Sequence, residues 1–253
     1  MNSMPATAIA DPTQCGGCPV RRLALFEPLS TDQLAAMQAH RLEQRALPAG
    51  AVLYSQDSRI DETYTLFQGW VMLHRTLDDG RRQILQFALP GDFLGFQPDL
   101  NAPVFHAAQA LTPVTLCVFK RESLLQMFRE HPMLAIRMAW ITARDEAMAH
   151  DHLTSLGRRP ARERLAHLFL EIHQRLSTRG PVDERAGIPV PLKQEHLADA
   201  LGLTTIHINR TLRLLRESGL ATLRGGILRI LDHQGLVEIT GYRPDRFGTR
   251  PIL

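Results

Sequence analysis

Leu192-Lys-Gln-Glu-His-Leu-Ala-Asp-Ala-Leu-Gly-Leu-Thr-Thr-Ile-His-Ile-Asn-Arg-Thr-Leu212 has the local chemistry of two helices joined at a tight turn. Ala198 is small where the helices approach, and Gly202 stands where the turn needs a positive φ. Leu197, Leu201, Leu203 and Ile208 are spaced to bury the junction. Thr204 is a natural N-cap, and the helix it opens exposes Thr205, Ile206, His207, Asn209 and Arg210 on its first turns. Gly219 ends that helix, and Leu220 to Leu231 around Gly225-Gly226 reads as a β-hairpin wing.

Charge agrees with this reading. The net charge of +3 over 253 residues conceals an asymmetry, since residues 1–155 hold 13 Lys+Arg against 16 Asp+Glu and residues 156–230 hold 13 against 7. A basic excess confined to the C-terminal third suits a module that binds a polyanion, because neutralised phosphates release counterions. In major-groove geometry Arg210 can pair bidentately with guanine, Asn209 can read adenine or hold phosphate, and Ile206 can touch a thymine methyl. Lys193, Gln194 and Arg213 flank these positions and complete the expected DNA-binding set.

Working toward the N-terminus, Ser177 to Pro191 is a Gly/Pro-bearing loop, Ala161 to Leu176 a helix, and Gly157-Arg158-Arg159-Pro160 a helix stop. The segment from Pro132 to Gly157 is helical, with Leu134, Met138, Ile141 and Met148 spaced 4, 3 and 7 apart. Asp145 interrupts that stripe and His152 follows it, and the set is expected to form a dimer seam rather than core. Before Arg121 the pattern is one of short strands. Pro48-Ala-Gly50, Asp78-Asp79-Gly80 and Pro90-Gly91-Asp92 punctuate apolar runs at Thr63 to Leu73, Gln83 to Leu89 and Val114 to Phe119, which predicts an antiparallel barrel. Leu34 to Leu42 reads as a short amphipathic helix ahead of it.

The fold class expected is α+β: an N-terminal antiparallel β-barrel of jelly-roll type, a long dimerisation helix and a C-terminal winged helix-turn-helix. The divisions fall at 1–24, an N-terminal segment with a Cys-x-x-Cys pair, 25–131, the barrel, 132–157, the dimerisation helix, 158–236, the winged domain, and 237–253, a tail. No run approaches a membrane span, and Met1 to Thr13 lacks signal-peptide character, so a cytoplasmic protein without membrane contact is expected.

Barrel, long helix and winged helix in that order resemble the bacterial Crp-Fnr family. Gly91-Asp92-Phe-Leu-Gly95 looks like its barrel motif, and Ala161-Arg-Glu-Arg-Leu165 resembles the stretch opening its DNA-binding domain. The resemblance implies a homodimer on palindromic double-stranded DNA, RNA polymerase as a partner, and a cyclic-nucleotide-binding-like barrel whose signal passes through the long helix. Arg210 carries over cleanly and Thr204 matches a phosphate-contacting Ser/Thr. The family often has Arg or Glu where this chain has Thr205 and Ile206, which implies a different half-site.

Cyclic-nucleotide members present an Arg-Ser pair and a Glu, whereas the segment after Gly95 reads Phe-Gln-Pro-Asp-Leu-Asn-Ala-Pro-Val-Phe, so cyclic AMP is not expected. The layout is nearer the Fnr-like, iron-sulfur branch. Cys15 and Cys18 match two of its clustered cysteines and Cys117 its barrel cysteine, while the remaining ligand position falls at Ala24. A four-iron cluster there needs a non-cysteine fourth ligand from Asp11, Glu27, a His or a small molecule. Other readings of the same residues are a zinc site, a redox pair, or plain core for Cys117. Haem is a further reading, although neither His74 nor His106 is singled out by spacing. A metal-dependent enzyme of cupin type would need clustered His and carboxylate ligands, which this barrel sequence does not offer, so no enzyme is expected.

Overall fold

The structure is a computed structural model that describes residues 7–21, 30–97, 99, 101–177 and 186–243. It divides into two compact units, Met1–Thr142 and Ala143–Leu253.

Among the described residues the first unit holds nine strands: β1 (Thr7–Ala8), β2 (Arg41–Leu47), β3 (Val52–Tyr54), β4 (Glu62–Gln68), β5 (Val71–Thr76), β6 (Arg82–Ala88), β7 (Phe93–Leu94), β8 (Ala107–Ala110) and β9 (Val114–Lys120). They form two antiparallel sheets, in the orders β1-β2-β9-β4-β7 and β3-β8-β5-β6. Tyr54, Tyr64, Leu66, Val71, Ala108, Leu116 and Val118 fill the space inside. The alternate residues Cys117 and Phe119 face outward, where helices α1 (Thr31–His40) and α2 (Arg121–Glu130) and the start of α3 (Pro132–Arg158) cover them with Met37, Leu124, Met127, Leu134, Met138 and Ile141. This is the period-two alternation of a strand with both faces buried.

Several expectations shift. The apolar run Thr63 to Leu73 is two strands, because Gly69 turns the chain at φ 92° and any Cβ there would meet the Pro113 carbonyl oxygen at 2.4 Å. The expected helix ends at His40, and Leu42 lies in β2. Ser30 fixes its start: the Ser30 hydroxyl accepts from the Gln33 amide at 3.3 Å while Gln33 Oε1 accepts from the Ser30 amide at 2.9 Å. The N-terminal segment adds β1 to the barrel sheet, with Thr7 opposite Ala46.

The residues expected at a dimer seam are largely buried within the chain itself. Leu134, Met138 and Ile141 belong to the first unit's own core, and Met148 is buried as well. Asp145 pairs with Arg144 at 2.8 Å, and His152 bonds Glu171 at 2.5 Å. Heptad spacing marks a buried face, but it carries no information on whether the burying partner is another chain or the same one. A second stripe of α3 faces out: Ile136 and Ala139 in the first unit, then Ala143, Glu146, His150 and Leu153 in the second, in steps of 3 and 4.

The second unit continues α3 and adds α4 (Ala161–Ser177), β10 (Ile188–Pro189), α5 (Gln194–Leu201), α6 (Thr205–Glu217), β11 (Ala221–Arg224), β12 (Ile227–Ile230) and α7 (His233–Thr240). The three strands form one sheet in the order β10-β12-β11. Helix α7 occupies residues divided in the sequence reading between the winged domain and a tail; the Asp232 side chain caps it through the Gly235 amide at 2.9 Å, and Leu236 is fully buried. Among the described residues no helix is long and apolar enough to cross a membrane.

Candidate nucleic-acid interface and cysteine site

Helix α5 ends where Gly202 takes the left-handed conformation at φ 61° and donates its amide to the Ala198 carbonyl. Thr204 then caps α6, its hydroxyl accepting from the His207 amide at 3.3 Å. Ile208, Thr211 and Leu215 point inward, and the Thr211 hydroxyl is held by the His207 carbonyl at 2.7 Å. The opposite face of α6 is left to solvent: Thr205, His207, Asn209 and Arg210 are exposed, and Ile206 shows 78% of its surface. An exposed isoleucine on a helix whose other side is well packed is the kind of apolar contact a base methyl can meet. Lys193 and Gln194 are exposed at the start of α5, with Lys193 near Glu195 at 3.4 Å, and Arg213 is exposed beside Glu217 at 3.4 Å. The wing forms as read, with Gly225 and Gly226 between β11 and β12.

The second unit also holds a set of half-buried ion pairs around the buried His167 and Glu171 that periodicity did not reveal. His167 Nε2 bonds Asp151 at 2.7 Å, and Arg159 reaches the other oxygen of the same carboxylate at 3.2 Å. The hydrogen bond from His167 is the main reason the Asp151 carboxyl drops to about 2. Burial opposes the charge on Glu171, yet His152 and Arg175 beside it hold that carboxyl low, also at about 2. Arg164 donates to the Arg159 carbonyl at 2.7 Å and to the Leu201 carbonyl at 3.1 Å, so it ties the end of α5 to the turn between α3 and α4.

The cysteines lie in the first unit. Cys15 and Cys18 flank a single 3₁₀ turn, Cys15–Gly17, and Cys15 and Cys117 are both buried. The segment is laid on the barrel by backbone contacts to three side chains: Gln44 Oε1 accepts from the Thr13 amide at 2.8 Å, Arg41 donates to the Thr13 carbonyl at 2.6 Å, and Gln38 Oε1 accepts from the Cys15 amide at 2.8 Å. Gln44 also donates to Cys117 Sγ at 3.4 Å. Burial pushes the thiols of Cys15 and Cys18 up, and the nearby sulfur of Cys117 adds to both shifts, so the three thiols stand in one another's electrostatic field. Among the described residues no three His, Cys, Asp or Glu side chains form a group that could hold a metal ion. Ala24 and Glu27 lie outside the described residues, and Asp11 is exposed. His106 is bonded to the Tyr54 hydroxyl at 3.0 Å, and burial lowers its pKa. Gln38, Arg41 and Gln44 escaped sequence reasoning because polar residues on a strand or helix give no signal of what crosses them.

The description "Cyclic nucleotide-binding domain" fits residues 44–131, and "Crp-like helix-turn-helix domain" fits residues 163–239. The nitrogen fixation regulation protein FixK of Bradyrhizobium diazoefficiens is 33% identical over 215 residues, spanning 84% of this chain and 88% of that one. The chain belongs to the Crp-Fnr family. Another Crp-Fnr relative, the transcriptional activator protein FnrL of Cereibacter sphaeroides, is 29% identical over 218 residues, 84% of this chain and 85% of its own. The solved structure of FixK2 from Bradyrhizobium japonicum superimposes with a TM-score of 0.71 at 27% identity, covering 79% of this chain and 98% of that one. As a Crp-Fnr protein the chain is a DNA-binding transcription regulator, not an enzyme.

Proposed function

We propose that this Crp-Fnr regulator is a homodimer that reads a palindromic DNA site and whose binding follows oxygen or redox state through an iron-sulfur centre at Cys15, Cys18 and Cys117. The observation that supports the signal is that Gln44 accepts from the Thr13 amide, two residues ahead of the Cys-x-x-Cys turn, and donates to the Cys117 sulfur. Three thiolates, two of them from buried cysteines and one from the half-buried Cys18, are a donor set that iron-sulfur chemistry accepts, and such a centre would supply electron exchange and sensitivity to oxidants. In the proposed complex Arg210 reads guanine, Ile206 and Asn209 contact neighbouring base edges, and Thr204, Thr205, His207, Lys193, Gln194 and Arg213 hold backbone or base groups. The outward stripe of α3, from Ile136 to Leu153, takes the role of the dimer seam in place of the buried one. RNA polymerase is the proposed partner on DNA, by analogy with FnrL, whose name describes an activator. Cyclic AMP is not the proposed signal, because the segment after Gly95 lacks the Arg-Ser pair and the Glu that cyclic-nucleotide members present.

The test is purification without oxygen, an absorption spectrum and iron count, and gel shifts on a duplex selected from random sequence, before and after air exposure. Brown protein that bleaches in air and changes its DNA affinity is expected, with both effects lost in Cys15→Ser, Cys18→Ser and Cys117→Ser. Colourless, iron-free protein with oxygen-independent binding overturns the redox reading and leaves the DNA-binding one intact.

A further inference from the structure

Arg164 stands in the second unit where the C-terminal end of α3, the start of α4 and the helix-turn-helix come together. Helix α3 ends at Arg158 and α4 begins at Ala161, so only Arg159 and Pro160 connect them. Arg164 is half-buried on the first turn of α4, and its guanidinium bonds two separate backbone segments: Nε donates to the Arg159 carbonyl at 2.7 Å and Nη1 to the Leu201 carbonyl at 3.1 Å.

Both anchors are helix ends. The last carbonyls of a helix have no partner within it. At the end of α5 the Ala198 carbonyl takes the Gly202 amide and, at 3.1 Å, the Leu203 amide, while the Leu201 carbonyl takes Arg164. A cation there also meets the negative pole of the helix. Leu201 lies three residues before the Thr204 cap of α6, the helix that carries Ile206 and Arg210. At the other anchor, the Arg159 amide donates to the Ser155 carbonyl at 3.1 Å and extends the last turn of α3. The Arg159 guanidinium is held on Asp151 at 3.2 Å, a carboxylate that His167 of α4 bonds at 2.7 Å. Leu156, on the same turn of α3, comes within 3.6 Å of where a Gly202 Cβ would stand. The end of the long helix therefore lies against the turn that launches α6.

We propose that Arg164 is the positioning residue of the recognition helix: one guanidinium, bonded at once to the ends of α3 and α5, sets where α6 begins and passes a displacement of the last turn of α3 to the base-reading side chains. The proposal rests on the reading of α6 as the base-reading helix, and it is independent of the cysteines. A planar fork can hold two carbonyls in a set geometry, whereas the ammonium of a lysine is a point charge on a flexible stem. Arg164 touches no base in this role. Base edges are read by position and phosphates chiefly by charge, so loss of the bridge removes discrimination and leaves non-specific affinity in place.

Full-length wild type, Arg164→Ala and Arg164→Lys are compared in gel shifts on a duplex selected from random sequence and on a scrambled duplex of equal length, at a temperature where circular dichroism shows each protein folded. Both variants are expected to lose about tenfold in affinity for the selected duplex and less than about twofold for the scrambled one. Amide hydrogen exchange should rise at Gly202 and Leu203 and stay at the wild-type level at the buried Phe169 and Leu170 in the middle of α4, whereas a merely structural role would raise it at all four. Should Arg164→Ala fail to fold, Arg164→Lys, which keeps the charge and the methylene stem, decides. Equal losses on the two duplexes, or unchanged discrimination in either folded variant, overturn the positioning role and leave α6 as the reader. Wild type that binds all sequences alike overturns base reading by α6 and this proposal with it.

Discussion

Arg210 is the guanidinium best placed to read a base, since α6 leaves it exposed on the face opposite Ile208 and Leu215. Arg210→Ala is expected to weaken specific binding by ~1–3 kcal/mol and to relax preference at one base pair per half-site, measured by gel shift on single-base operator variants. Unchanged discrimination would remove Arg210 from base readout. Thr65 gives a prediction of the opposite kind. Its orphaned hydroxyl costs the protein stability, so Thr65→Val should raise unfolding free energy by about 1 kcal/mol in urea titrations. Asp151 predicts a pH dependence. Its carboxyl ionises at about 2 in the folded state against an ordinary 3.8, so its charge stabilises the fold above pH 4 and that contribution is lost as pH falls from about 4 to about 2. The contribution is about 2 kcal/mol near neutrality. Asp151→Asn should lower stability at pH 7 and flatten the acid limb of urea midpoint against pH.

At the scale of elements, the turn between α5 and α6 is where a single backbone angle governs function. Gly202 holds φ 61°, and a Cβ there would only touch Leu156 Cδ2 at 3.6 Å, an ordinary contact. The cost of Gly202→Ala is therefore backbone strain rather than collision, about 1–2 kcal/mol. Thermal melts should show that loss, and DNA affinity should fall with it because α6 starts three residues later. The turn was legible in the sequence because its chemistry is local: a glycine for the left-handed angle, a threonine for the cap, and leucines at fixed offsets. Arg164 was not, since its bonds to the Leu201 and Arg159 carbonyls join backbone groups 42 residues apart in sequence.

For the molecule as a whole, the question is which face of α3 meets a second copy. Leu153, 65% exposed, and Ile136 belong to the outward stripe, whereas Met138 belongs to the core of the first unit. Leu153→Glu is expected to shift sedimentation of the metal-free protein toward monomer at micromolar concentration while leaving its circular dichroism intact. Met138→Glu should instead unfold the first unit, because it buries a charge without a partner. The reverse pattern would restore the seam that the heptad spacing suggested.

The sequence by itself determined what depends on neighbours within a few residues: the helix-turn-helix, the wing, the strand-rich first half and the Cys-x-x-Cys turn all follow from capping, turn and alternation chemistry. It also determined the net basic charge of the C-terminal third, which is a sum and needs no coordinates. Tertiary structure alone decided which stripe of α3 is buried, because two stripes of one helix satisfy the same period. It alone set Gln44 and Thr65 on either side of Cys117, since register between residues 73 and 52 positions from Cys117 in the sequence is fixed by pairing and not by local preference.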